Sequence, residues 1–340
     1  MKMPHSTLEA PAPDVSILIP TYDQRASIGA AIRSALAQTH ASLEVVVADD
    51  CSSDGTFEAA AAIRDPRCRV VRNERNLGRV GNYRHLLHDL ARGEWALVLD
   101  GDDELIDPEF LRAAMQSIRA DASLVMVVGG MIDVSGEGDA RTLLPTRRDA
   151  ETVDGRDFFL GWRFDSVVPH LGTLYHRRRA MAVGFYDRDI LSADWLSLRK
   201  LALEGRVCLL GRAVGRWHHH GSNISSTIEF EPHRRNLDSI LIPADHARGR
   251  LLPASRVDAW RREALADYAF HYCRFVAGAG RLDLARRLAL HVGTLDPAAR
   301  RRLAWRLATS PIFHVQAVSG ALGLWDGLQR TWRRLRSRTA

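Results

Sequence analysis

Residues 95–103 read WALVLDGDD. Five apolar residues that end abruptly in three carboxylates fit a buried strand stopping at a charged edge, and Asp107-Pro108 then opens a helical pattern over 108–119. The same arrangement occurs three times upstream. VSILIP (15–20) precedes helical spacing of Ile28, Ala31, Ile32, Ala35 and Leu36; EVVVA (44–48) precedes 56–64; CRVVR (68–72) precedes 79–91. Four strand–helix units in series predict an α/β fold, a mainly parallel sheet covered by helices on both faces. Ligands of such sheets bind beyond the carboxyl ends of the strands. The residues that follow each apolar run are therefore the candidates: Thr21-Tyr22-Asp23, Asp49-Asp50, Asn73 to Asn76, and Asp100 to Asp103.

Downstream, another apolar run covers 124–134, and the polar stretch 135–157 reads as a loop of the kind that covers a site. Short strands and a helix near 193–204 fill 158–230, and Arg/Ala/Leu helical pattern dominates 233–248 and 255–336. The chain of 340 residues is long enough for one large core and an appendage. We expect a flexible N-terminus at 1–13, an α/β domain at 14–230 and an α-helical region at 231–340.

The net charge of +6 is unevenly spread: residues 255–340 hold 16 Arg against 6 Asp or Glu, which leaves the rest of the chain acidic. The basic character belongs to the tail, and no nucleic-acid partner is expected. Within it Trp325, Leu328, Trp332 and Leu335 share a helical face beside Arg330, Arg333, Arg334, Arg336 and Arg338. That pattern suits an interfacial helix on anionic lipid, or packing on the protein's own core or a second subunit. Four dispersed cysteines without CxxC spacing give neither a zinc ribbon nor a disulfide framework. The first residues lack a signal-peptide core, and no apolar run approaches the ~20 residues that span a bilayer. The expected location is cytoplasmic, with peripheral contact at the inner face of the membrane.

Asp100, Asp102 and Asp103 repel one another unless something positive sits among them, and hard divalent cations, Mg²⁺ or Mn²⁺, are the usual solution. The bland reading is a solvated acidic turn with Asp107 capping the next helix. Asp49 and Asp50 can accept hydrogen bonds from a base or ribose, while Ser53 or Asp54 caps the helix that follows.

Taken together, VSILIPTYDQ, VVVADDCSSDGT, NERNLGRVGNYRHLL and WALVLDGDDEL resemble, in order and spacing, the family 2 glycosyltransferases with the GT-A fold, over about residues 14–225. The resemblance implies a metal-dependent enzyme that moves a sugar, with inversion, from a nucleoside-diphosphate sugar, a UDP-sugar in the first place, to a glycan or lipid-linked acceptor in cell-surface glycan synthesis. Tyr22 and Asp50, with Pro20 and Asp49 beside them, match positions that hold base and ribose. Asp102 matches the metal ligand of the DxD motif, with Asp100 and Gly101 towards ribose or sugar and Asp103 in support. Asn76, Gly78 and Asn82 match an NxGxxxN variant of the donor-side loop. Asp23 stands where Asn is more usual.

An acceptor hydroxyl needs a base, because its free pKa is far too high for attack at neutral pH. Asp194 resembles the Asp of the family's Glu-Asp pair, with Ala193 in place of the Glu; its bland role is a favourable charge in the first turn of a helix. By the same resemblance His220, in Trp217-His218-His219-His220-Gly221, is the candidate third metal ligand or diphosphate contact. Arg79, Arg84 and His170 are the cations available to the diphosphate as charge builds on it. The missing Glu keeps a second possibility in view, a nucleotide-binding scaffold without turnover. A dinucleotide oxidoreductase is disfavoured, since no GxGxxG follows VSILIP.

Overall fold

The computed structural model describes residues 12–135, 139–219 and 226–310. The four expected units form in order: β1 (Val15–Thr21) and α1 (Ile28–Leu36), β2 (Leu43–Asp49) and α2 (Thr56–Ala61), β3 (Cys68–Arg72) and α3 (Arg79–His85), β4 (Trp95–Val98) and α4 (Phe110–Ala120). A π-helical turn, Leu86–Leu90, continues α3. Every residue of β1 and β2 is buried, as strands covered on both faces require. One face of α1 buries Ile28, Ala31, Ile32 and Ala35, the i, i+3, i+4, i+7 stripe of an amphipathic helix.

These strands lie in the order β3-β2-β1-β4 and are all parallel. The chain runs outward from β1 to β3 and then returns to set β4 on the other side of β1. That reversal is where an open α/β sheet leaves a crevice. Pro20 tolerates its place in this central strand for a reason of parity. The Leu18 carbonyl accepts from Leu99 N–H and the Thr21 carbonyl from Asp50 N–H, so Pro20 shares the side of Leu18, where β4 has already ended and no donor is needed.

The remaining strands are β5 (Glu104–Leu105), β6 (Leu124–Ser135), β7 (Asp139–Leu143), β8 (Ala150–Asp154), β9 (Thr173–His176) and β10 (Arg206–His219). β9 bridges β4 and β6 antiparallel, β10 runs parallel to β6, and β5 pairs antiparallel with the far end of β10. The stretch 135–157, expected as a loop, instead supplies β7 against β6 and β8 against β10. Residues of β8 alternate between exposed and half-buried, so backbone pairing holds the strand without an apolar face that a sequence pattern could reveal.

Two compact units divide the chain, and the division is not a single cut: 156–166 and 190–203 join the segment from 221 onward in the second unit, although both lie inside the 14–230 span. The first unit contains the sheet and α6 (Arg177–Ala182). The second is helical, with most of α5 (Gly155–Gly161), α7 (Ala193–Ala202), α8 (Phe230–Asn236), α9 (Asp238–Ala247), α10 (Ala254–Gly278), α11 (Leu282–Leu295) and α12 (Pro297–Ala308). Its core packs Trp260, Leu265, Ala269, Cys273 and Val276 of α10 against Leu288 and Val292 of α11 and Leu303 and Leu307 of α12. Among the described residues no helix is long and apolar enough to cross a membrane. The Trp- and Arg-bearing face expected at 325–338 lies outside the described residues.

A buried polar knot pins the centre of the sheet. The Ser16 hydroxyl donates to Glu44 Oε1 (2.6 Å) and accepts from Gly93 N–H (2.8 Å), while Arg92 donates to the same carboxylate through its N–H (2.7 Å) and guanidinium (2.9 Å). Burial pushes the Glu44 carboxyl up, but the Ser16 and Arg92 bonds outweigh it and hold it below its ordinary range. A Cβ on Gly93 would sit 2.6 Å from the Ser16 nitrogen, in a strand with no room to retreat. Gly93→Ala is therefore expected to cost about 1–3 kcal/mol, the usual penalty of overpacking. Denaturant or thermal melts check this, and an unchanged midpoint contradicts it.

Candidate functional site

The carboxyl ends of β1, β2 and β4 share one edge of the sheet, since the three strands are parallel neighbours. Thr21 stands opposite Asp49, and its carbonyl takes the Asp50 N–H (2.9 Å). The acidic turn after β4 lies against the same strand end. A Cβ on Gly101 would come 2.4 Å from Gln24 Oε1 and 2.9 Å from Thr21 Oγ1, which places the turn in close contact with the end of β1. Tyr22, Asp49-Asp50 and Asp100 to Asp103 thus converge.

Side chains fasten the loops that follow β1 and β2 to each other. Asp23 N–H donates to Ser52 Oγ (2.9 Å), Ser53 N–H to Asp23 Oδ1 (2.9 Å), Gln24 N–H to Thr56 Oγ1 (2.8 Å) and Arg25 N–H to Asp54 Oδ2 (3.0 Å). Asp23 holds a φ of 50°, a left-handed conformation that Asp and Asn both tolerate; Asp therefore keeps the turn in place of the more usual Asn. Asp54 also accepts from Thr56 N–H (2.9 Å), but the N-cap of α2 is Gly55, so Asp54 braces the turn one residue before the cap expected of it. Tyr22 is 50% exposed at this edge, and the Asp23 charge raises its phenol above the ordinary value.

Asp49 is wholly buried. Its Oδ2 accepts from Ser52 N–H (3.1 Å) and lies 3.6 Å from Arg72 Nε, while its Oδ1 has no hydrogen-bond partner. Asp50, also buried, accepts from Asn73 Nδ2 (2.8 Å) and Leu77 N–H (2.8 Å) on one oxygen. The Asn73 amide donates as well to Asn82 Oδ1 (3.0 Å), and Asn82 Nδ2 to the Ala48 carbonyl (2.9 Å). Asn76 accepts from Gly78 N–H (2.8 Å) where Gly78 turns with φ +76°. Of the three motif positions, Asn76 and Gly78 are exposed, and Asn82 is a buried brace that ties α3 to the end of β2.

Within the acidic turn, Asp103 N–H donates to the Asp100 carbonyl (3.0 Å), and Asp103 Oδ1 accepts from His218 N–H on β10 (3.0 Å). Asp103 is 3% exposed. Burial, then the charges of Asp100, Asp102 and Glu104, push its carboxyl up to about 9 against the pull of the His218 bond. Burial likewise raises Asp100, with Asp102 adding to it and His170, Tyr83 and Arg79 opposing. The Tyr83 hydroxyl donates to Asp100 Oδ1 (2.7 Å), and its ring packs on His170 (5.5 Å between centroids) and Tyr186 (5.2 Å), which are joined by a 2.6 Å Nε2 to hydroxyl contact. Tyr83 and Tyr186 escaped the sequence reading because neither belongs to a local pattern; distant segments bring them to Asp100.

Asp102 is half-buried at the middle of the turn, between carboxylates each tied back to the fold. Mg²⁺ and Mn²⁺ are commonly held by one or two carboxylates plus substrate phosphate oxygens, so the donor set fits such a cation, and its charge would relieve the repulsion that raises Asp100 and Asp103. Among the described residues no three His, Cys, Asp or Glu side chains form a ready metal cage. His220 lies outside the described residues, and β10 reaches only to His219. Arg84 is ion-paired with Asp187 at an exposed position. Asp194 lies in the second unit, half-buried in the first turn of α7.

The glycosyl transferase family 2 profile matches residues 16–170. Across 320 residues the chain is 43% identical to the succinoglycan biosynthesis protein ExoO of Rhizobium meliloti (strain 1021), covering 86% of this chain and 88% of that one. The chain belongs to glycosyl transferase family 2. It is a glycosyltransferase. Over a shorter stretch, 26% of this chain and 35% of the other, it is 35% identical to the Escherichia coli UDP-Glc:alpha-D-GlcNAc-diphosphoundecaprenol beta-1,3-glucosyltransferase WfaP. In fold it is similar to S. aureus TarS 1-349, crystallised with UDP-GlcNAc, at a TM-score of 0.69 and 18% identity over 94% of this chain and 92% of that one. The GT-A architecture of family 2 accounts for the parallel β1–β4 core, the mixed sheet beyond it and the helical C-terminal region.

The raised carboxyl of Asp103 has a consequence for stability. Between the ordinary value of 3.8 and about 9 the folded state keeps a proton that the unfolded chain has released, so stability drains as pH rises through that window. Asp103→Asn keeps the acceptor for His218 N–H and has nothing to ionise. In chelator-treated protein it should raise the melting midpoint at pH 8 more than at pH 5. Equal shifts at both pH values, or a lower midpoint at pH 8, contradict the assignment.

Proposed function

We propose that this glycosyltransferase moves a sugar from a UDP-sugar to a hydroxyl of a lipid-linked glycan during assembly of an exopolysaccharide. The observation that carries the proposal is the gathering of carboxylates at the ends of β2 and β4, with Asp102 half-buried between Asp100 and Asp103 and the acidic turn lying against the end of β1. Such an edge suits a cation-bound diphosphate. The choice of UDP-glucose as the first donor to test rests on the named activity of the E. coli relative, and the exopolysaccharide on the named role of the Rhizobium one.

In this reading Tyr22 stacks on or borders the base, the Asp49-Asp50 strand end borders base and ribose, and the loop bearing Asn76 and Gly78, fixed by Asp50, borders the diphosphate. Asp102, with His220 as a second protein ligand, would hold Mn²⁺ or Mg²⁺. When bound, that ion offsets the charge that gathers on the departing diphosphate. Arg79 and His170, beside Asp100, are the further positive groups at this edge. Asp194 takes the proton of the acceptor hydroxyl as its oxygen attacks the anomeric carbon and the bond to UDP breaks on the opposite face, so the configuration inverts. The basic tail, through its Trp and Arg face, provides peripheral contact with the anionic inner leaflet where a lipid-linked acceptor resides.

Asp102→Ala should abolish the Mn²⁺-dependent part of UDP binding without loss of fold, because the residue sits on a turn outside the sheet. Calorimetric titration of UDP with and without Mn²⁺, alongside circular dichroism, is the check. Undiminished Mn²⁺-dependent affinity in the variant overturns the metal assignment.

A further inference from the structure

The start of α7 is held by a chain of buried and part-buried hydrogen bonds. Ser192, which precedes the helix, donates its N–H to Asn236 Oδ1 (2.7 Å), and its hydroxyl accepts from Asn236 Nδ2 (3.0 Å). The same amide donates to the Tyr268 oxygen (3.1 Å). That oxygen lies 2.7 Å from His233 Nδ1, and His233 Nε2 lies 2.8 Å from the Thr227 carbonyl. A carbonyl only accepts, so Nε2 carries the ring proton; in the neutral imidazole Nδ1 then accepts, and Tyr268 must be its donor. Every direction in the chain is thereby fixed, from α10 through α8 to the first turn of α7.

Asn236, Tyr268 and His233 are all at least nine-tenths buried. A polar chain of this kind, set beside an apolar core, contributes less by stabilising the fold than by selecting one arrangement of its parts. The chain of hydrogen bonds ends at Ser192, two residues before Asp194. At the other end of α7 the buried Arg199 donates to the Ser239 carbonyl (2.9 Å) and its guanidinium faces the rings of Trp162, Trp195 and Trp260 at 5.0–5.6 Å. The helix is thus fastened along its length by contacts that permit little rotation or slide.

We propose that Asn236 is a positioning residue for transfer: backed by Tyr268 and His233, it sets the orientation in which the first turn of α7 presents the Asp194 carboxylate. The proposal rests on the reading of Asp194 as the base. A misplacement of about 1 Å at a reacting group costs about 100-fold in rate, so loss of the brace should register in kcat and leave donor binding alone.

The test is steady-state UDP release from UDP-glucose with Mn²⁺, at a temperature well below each variant's melting midpoint, for wild type, Asn236→Ala, Asn236→Asp, Tyr268→Phe and Asp194→Asn. Asn236→Ala should lower kcat about 10- to 100-fold with KM for UDP-glucose unchanged. Asn236→Asp, which keeps the acceptor for Ser192 N–H but sets a carboxylate oxygen against the Ser192 and Tyr268 oxygens that the amide donates to, should not recover the loss, and Tyr268→Phe should show a smaller loss in the same direction. A folded Asn236→Ala with wild-type kcat, or one altered only in KM, overturns the positioning role while leaving the base reading intact if Asp194→Asn is inactive. Should Asn236→Ala fail to fold, Tyr268→Phe decides by the same criterion. Measurable wild-type turnover that Asp194→Asn matches removes the base reading, and the positioning role falls with it.

Discussion

Carboxylates held out of water govern this glycosyltransferase. Asp49, Asp50 and Asp103 are buried at and just beyond the ends of β2 and β4, and burial together with the charges of Asp100, Asp102 and Glu104 opposes the charge of Asp103. The fold answers part of that cost with hydrogen bonds: Ser52 and Arg72 for Asp49, Asn73 and Leu77 for Asp50, His218 for Asp103. Asp102 remains half-buried between Asp100 and Asp103, at the middle of the turn that our proposal assigns to a cation.

The remaining architecture can be understood as the means of keeping those groups together. β1 lies between β2 and β4 because the chain reverses its direction of growth there, and Gly101 allows the acidic turn to rest on the end of β1 without a Cβ in the way. Asp50 pins the 73–78 loop over the same edge through Asn73 and Leu77. On the far side, β5 and β10 carry the turn's other anchor, and Arg216 on β10 pairs with Glu104 beside it (2.9 Å).

Much of this was legible in the sequence because it is local. Apolar β-branched runs followed by polar residues mark β1 to β4, and the clusters Asp49-Asp50 and Asp100 to Asp103 are visible as text. Less legible were the features that arise between distant segments. β7 and β8 carry no apolar alternation and exist through pairing with β6 and β10. Tyr83, His170 and Tyr186 meet at Asp100 from three segments, and a motif comparison could assign Asn82 to the donor loop without disclosing that it is a buried brace. The second unit gathers 156–166 and 190–203 with the C-terminal helices, a grouping set by packing that no linker announces.

If the acidic turn awaits a cation, binding must expel the protons that burial and repulsion hold there. Calorimetric titration of Mn²⁺ and UDP into the protein at pH 7, repeated in buffers of different ionisation enthalpy, counts those protons. The account predicts net release at pH 7 that shrinks as pH climbs past about 9, where Asp103 is already ionised. Binding with no proton exchange at pH 7 would contradict it.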